Sequence, residues 1–133
     1  MSVLDNAEAN RLLEAIVGKT TYPATTGPLK MRLNTAVGSD SAAGTEVTAS
    51  GGYTAGGQAV TTWNAAASRQ ITNSSVVSYT NMPAATVTSV DFYDSAGTPV
   101  RKLYGALGSS KVVAAGDTLS FAASSITVGF QAG

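Results

Sequence analysis

The chain has 133 residues, with eight basic and eight acidic side chains and a formal net charge of zero. It contains no histidine and no cysteine, so it lacks the imidazole and thiolate of most catalysis at neutral pH and cannot form disulfides. Zero net charge excludes the basic footprint of a nucleic-acid-binding protein and a polybasic membrane anchor. We therefore predict a non-enzymatic single domain over residues 1–133, without cofactor, nucleic acid or membrane, made in the cytoplasm.

The first predicted element is a helix over residues 5–17. Asp5 is a suitable N-cap, and Glu8 follows three residues later, as a capping box requires. Gly18 comes directly after the last apolar residue, where a left-handed C-cap would lie. These signals predict both ends of the helix.

Apolar residues recur at helical spacing within this segment and include Leu12, Leu13 and Ile16. Their side chains form one stripe that has to be buried. An amphipathic terminal helix ahead of a β-rich body either packs on its own domain or serves as a docking or oligomerisation helix. We take Leu12, Leu13 and Ile16 as candidate assembly residues.

The remainder of the chain alternates short apolar–polar runs with glycine- and proline-rich turns, which is typical of an antiparallel β-sandwich. We predict an all-β, jelly-roll-like sandwich over residues 28–130, preceded by one short N-terminal helix. The predicted strands are 29–33, 58–63, 75–79, 86–93, 100–107, 111–113, 119–121 and 126–130. The turn at 94–97 joins the fourth and fifth of these strands into a hairpin.

Residues 36–57 are crowded with glycine and serine and predict a long loop, with a short strand at 45–48. Loops of this length inside a compact domain are usually functional or flexible. Tyr53 is the aromatic residue of this loop, and we expect it to be exposed. It is therefore a fourth candidate assembly residue.

Carboxylates are the catalytic groups that this composition leaves. Asp94 and Asp117 each lie in a turn sequence, where aspartate bonds its own backbone. Asp91 is predicted to be an outward strand residue or a partner of Arg101 or Lys102 across the hairpin. We assign no catalytic residue.

Two further acids, Asp40 and Glu46, lie in the long loop and are the candidates for calcium. They lack the repeated acidic spacing that oxygen-ligand loops use. We therefore predict no metal site.

Leucine, isoleucine, valine and phenylalanine together make up only about a fifth of the chain. Such a thin core often requires support from neighbouring subunits. We expect a homo-oligomer and favour a trimer.

The order of several motifs resembles short virion structural proteins of tailed bacteriophages, often labelled tail fibre proteins. The motifs follow the capped helix and are Gly51–Tyr53, Gln58–Thr61, Val90–Asp94, Leu103–Leu107 and Ala115–Ala122. The resemblance extends over nearly the whole chain. It implies an all-β structural protein without enzymatic activity that assembles into the phage particle.

The resemblance leaves three functions open. Our main interpretation is a capsid-surface decoration or minor capsid protein, and the alternative is a tail or tail-fibre component. The expected partners are accordingly phage capsid or tail proteins. A third interpretation, a carbohydrate-binding receptor module, requires exposed aromatic residues beside polar groups on one face.

Overall fold

The computed structural model describes residues 3–130. Helix α1 (Asn6–Ile16) follows a two-residue strand β1 (Val3–Leu4), and the remaining elements are strands. They are β2 (Leu29–Ala36), β3 (Thr45–Glu46), β4 (Gln58–Val60), β5 (Gln70–Thr72), β6 (Val77–Tyr79), β7 (Ala85–Tyr93), β8 (Arg101–Val113), β9 (Leu119–Phe121) and β10 (Thr127–Gly129). No helix in this part of the chain is long and apolar enough to cross a membrane.

The main sheet has six strands in the order β1-β8-β7-β2-β3, and β4 pairs with the other end of the outer edge of β2. Two further two-stranded ladders, β10-β5 and β6-β9, complete the fold, and every pairing is antiparallel. The predicted antiparallel all-β fold with one short N-terminal helix is confirmed. The layer opposite the main sheet consists of two separate ladders.

The core lies between the main sheet and the two ladders. Met31 pairs with Phe92 and Leu33 with Val90 in the register of β2 and β7, so these four side chains share one sheet face. All four are buried, and Val77 and Tyr79 of β6 belong to the same apolar cluster. This alternation explains why β2 and β7 are recognisable in the sequence.

Several element boundaries differ from the prediction. The strands predicted at 100–107 and 111–113 are one strand, β8, which pairs with β7 at both ends. The residues between Ala106 and Lys111 form a bulge in β8. Ala106 pairs with Ser89 and Lys111 pairs with Val87, so the residues between them lie opposite Thr88 alone. The short strands β1 and β5 were not predicted.

Residues 36–57 lie mostly outside regular strands and contain a short strand within the predicted range, but the segment packs closely against the body of the protein. Strand β2 reaches Ala36, β3 covers Thr45–Glu46, and Val47 lies in the core with 4% of its surface exposed. Gly57, with φ at 73°, approaches the backbone of β2 so closely that a Cβ atom would lie 2.0 Å from the Met31 carbonyl oxygen. The glycines here allow close packing.

Candidate assembly surface

Helix α1 begins and ends close to the predicted positions and has the predicted N-cap, but the predicted capping box is not formed. Asp5 is the N-cap, and its Oδ1 accepts the N–H of Ala7 at 3.0 Å. Gly18 follows the helix with φ at 77°, as predicted. Glu8 does not bond back to the N–H of Asp5, which donates instead to the Lys102 carbonyl oxygen at 3.0 Å. The Glu8 side chain is therefore free to turn inward.

Glu8 is the one buried residue of the helix, with 1% of its surface exposed. Its carboxylate accepts hydrogen bonds from Lys102 Nζ at 3.0 Å, from Arg11 Nη1 and from the Tyr22 hydroxyl. Burial alone would raise the pKa of Glu8, but the hydrogen bonds from Tyr22 and Lys102 and the charges of Lys102 and Arg11 outweigh it and lower the pKa. The innermost contact of the helix is therefore ionic.

Arg101 joins the helix, the segment after β2 and the sheet at one guanidinium group. Its Nε and Nη2 atoms donate to Asp5 Oδ2 at 3.0 and 2.8 Å. Nη1 donates to the Ala42 carbonyl oxygen at 2.7 Å, and Nη2 also donates to the Ser39 carbonyl oxygen. Asp91 lies beneath, with Oδ1 3.7 Å from Nη1. A buried guanidinium can satisfy several acceptors at once in this way.

The sheet face beneath these groups is polar and buried. Asn34 pairs with Ser89 in the register, and Asp91 lies two residues further along β7 on the same face. At most 2% of the surface of each is exposed. Gly44 N donates to Asp91 Oδ2 at 2.9 Å. The prediction that Asp91 points outward is wrong, whereas its alternative, pairing with Arg101, is confirmed.

The side of α1 that faces away from the sheet is apolar and exposed. Leu13, Ile16 and Val17 are 62%, 71% and 77% exposed. Because successive residues of an α-helix are about 100° apart around its axis, these three side chains occupy one continuous arc, which lies beside the face that carries Glu8. We call these three residues the apolar flank. It contains two of the three helix residues predicted from the sequence, and the third, Leu12, is half-buried.

Tyr53 does not lie on this surface, and the expectation that it is exposed is wrong. Only 3% of its surface is exposed. Its hydroxyl donates to Glu46 Oε1 at 2.9 Å and accepts the N–H of Leu33 at 3.0 Å, while its ring lies 5.9 Å from that of Tyr79. Burial raises the pKa of Tyr53 well above its ordinary value. Tyr53 is a core residue.

The aspartates predicted to form turns do so. Asp94 Oδ1 accepts the N–H of Val100 at 2.9 Å and that of Ala96 at 3.3 Å. Asp117 Oδ2 accepts the N–H of Ala114 at 2.8 Å. Each bonds backbone a few residues away, as short acidic side chains do in turns.

The two acids considered for calcium serve different structural contacts. Asp40 accepts a hydrogen bond from the Tyr104 hydroxyl. Glu46 Oε1 accepts from Tyr53 and from the N–H of Gly56 at 2.7 Å. Within residues 3–130, no group of three or more acidic side chains is placed to hold a metal ion.

Sequence reasoning missed that Glu8, Arg101 and Lys102 hold the helix in place. Glu8 lies four residues before Leu12, on the side of the helix that faces the body. The position of Glu8 on the same helix face as the apolar Leu12 was a signal in the sequence that could have predicted its burial. Its partner on the sheet, Lys102, lies 94 residues away in the chain, and no local pattern identifies it.

A family model described as podophage GP4 fiber I protein gp80 matches residues 4–129. No curated protein matches the chain. The family match confirms the resemblance to phage virion proteins. It favours the fibre interpretation, and capsid decoration, our main interpretation from the sequence, is not supported.

Proposed function

We propose that this chain, which belongs to the podophage GP4 fiber I protein gp80 family, is a subunit of a tail fibre that assembles with copies of itself through the apolar flank of α1. The family is one of phage fibre proteins, so the chain is a virion-associated structural protein. A non-catalytic role follows from the same assignment. Tail components are accordingly its expected partners in the particle.

The observation that carries the proposal is the exposure of Leu13, Ile16 and Val17 on a helix held by buried ionic contacts. Covering an aliphatic side chain of this size stabilises a complex by up to about 1.5 to 3 kcal/mol. Because Glu8 and Asp5 hold the helix, a partner binds a surface that is already ordered. Little conformational entropy is then lost on association.

A second copy of the chain is the partner that we favour, and the assembly that we favour is a trimer. The apolar flank is small, so one contact of this size is weak. Cyclic symmetry repeats the contact in every subunit, and weak interfaces then add. We infer that residues 1–133 act as one unit in this assembly.

Imaging of labelled phage particles tests the location. A short epitope at the C-terminus, decorated with antibody and viewed by electron microscopy, should mark the fibres of the tail. Antibody distributed over the capsid surface would contradict the proposal and restore the decoration interpretation. Particles that carry the untagged chain control for non-specific antibody binding.

A further inference from the structure

A groove of about 210 Å³ opens between the edge of the main sheet and the β10-β5 ladder. One cross-strand pair, Leu4 with Leu103, lines it from the main sheet, and a second pair, Ile71 with Val128, lines it from the ladder. Phe130 also lines the groove and is 58% exposed. The surface of the groove is almost entirely apolar. We call these five residues the apolar groove.

The lack of polar surface distinguishes the apolar groove from other concavities in the described part of the chain. The concavities beside Lys30, Val76 and Phe121 all have substantial polar surface. An apolar concavity is stabilised when an apolar group fills it, because both surfaces then leave water. Truncating one leucine in a protein core leaves a cavity of about 150 Å³, so the groove has room for about one or two aliphatic side chains.

The apolar flank and the apolar groove lie on opposite sides of the main sheet. Helix α1 covers the polar face, which carries Asp91, whereas Leu103 pairs with Phe92 on the core face. Ionic contacts at Asp5 and Glu8 fix the helix on the polar face. The flank of one chain therefore does not fill the groove of the same chain. A second copy can bring the two surfaces together.

The symmetry of the proposed trimer also requires two different surfaces. A contact between identical patches closes at two copies, whereas a ring of three is built from a contact that joins one patch to a different patch on the next copy. We propose that the apolar flank of one copy inserts into the apolar groove of the next, with Leu13 and Ile16 of α1 in the groove. This inference rests on the proposed function, because it names the surface that receives the flank.

Sedimentation of Phe130→Asp tests the role of the groove. Phe130 is 58% exposed, so the fold should survive, which circular dichroism checks. At a concentration at which the unmodified chain is an oligomer, Phe130→Asp should sediment as a monomer, because association would bury an unpaired carboxylate. The matched control is Val76→Asp, at an aliphatic residue that is 59% exposed and lies outside the groove. It should sediment like the unmodified chain.

The outcomes separate this inference from the proposed function. An oligomer that dissociates on Leu13→Asp but persists on Phe130→Asp would overturn the role of the groove and leave assembly through the apolar flank intact. A monomeric unmodified chain would overturn both.

Disulfide trapping tests the contact itself, because the chain has no cysteine of its own. Val17 lies on the flank, Ala66 lines the groove, and both are exposed. On oxidation, the double variant Val17→Cys/Ala66→Cys should form covalent trimers, whereas each single variant should run as a monomer on a denaturing gel. Covalent dimers of Val17→Cys alone would show that flanks meet one another and would overturn the proposal. A double variant that assembles without cross-links would also overturn it.

Discussion

Replacing Arg101 with methionine tests whether ionic contacts hold helix α1 on the sheet. Arg101 is 7% exposed, and its guanidinium donates to Asp5, Ser39 and Ala42, with Asp91 at 3.7 Å. Methionine keeps most of the aliphatic stem but removes the hydrogen bonds to Asp5 and to two carbonyl oxygens, together with the ion pair to Asp91. Removing one partner of a buried ion pair typically costs about 3 to 5 kcal/mol, so we expect a loss in this range.

Urea denaturation followed by circular dichroism measures the loss. With a denaturant slope of about 1 to 3 kcal/mol/M, the midpoint should fall by about 1 to 5 M. The matched control is Arg69→Met, at an exposed arginine without an ion pair among the described residues, which should change stability by at most about 0.5 kcal/mol. A loss below about 1 kcal/mol for Arg101→Met would refute the reasoning, because the contacts would then contribute little.

Three other substitutions test separate parts of the structure. Gly57→Ala should lower the melting temperature more than Gly56→Ala: both glycines have positive φ, but only at Gly57 would a methyl group meet backbone, 2.0 Å from the Met31 oxygen. The clash should add about 1 to 3 kcal/mol, and equal losses would contradict the packing. Glu8→Gln should destabilise the protein at pH 7, and the difference should vanish at low pH. The folded pKa of Glu8 is lowered, so its contribution is complete above the ordinary value of 4.5 and is lost as the pH falls through the folded pKa. Thermal melts at both pH values check this, and a difference independent of pH would contradict it. Asn73→Ala should cost about 2 to 5 kcal/mol in urea denaturation, because the fully buried amide bonds two carbonyl oxygens and one N–H. A loss under about 1 kcal/mol would be inconsistent with that role.

The parts of the fold that could be predicted are those with a local signal. Helix α1 has caps within its own sequence, at Asp5 and Gly18. Strand β7 and the turn at Asp94 combine an apolar–polar alternation with a turn residue that bonds its own backbone. Strand β5 (Gln70–Thr72) has only three residues, too few for a periodic pattern, and was missed.

The parts that could not be predicted depend on contacts between distant segments. A glycine-rich composition predicts turns, but it does not show that Tyr53 is drawn into the core by Glu46 and Leu33. The buried contacts of Arg101 also join distant segments, since Arg101 and Asp5 are 96 residues apart in the chain. The apolar stripe was recognised. However, only the structure shows that Leu13 and Ile16 face solvent while Glu8 faces the sheet.

Sedimentation of the purified chain tests the central claim, assembly through the apolar flank, most directly. The unmodified chain should sediment as an oligomer, with a trimer expected, whereas Leu13→Asp should sediment as a folded monomer. Leu13 is 62% exposed, so the substitution should lower folding stability only slightly. Val76→Asp adds the same charge at an aliphatic residue that is 59% exposed and lies outside the helix, and it should sediment like the unmodified chain. A monomeric unmodified chain, or a folded Leu13→Asp variant that still associates, would contradict the account.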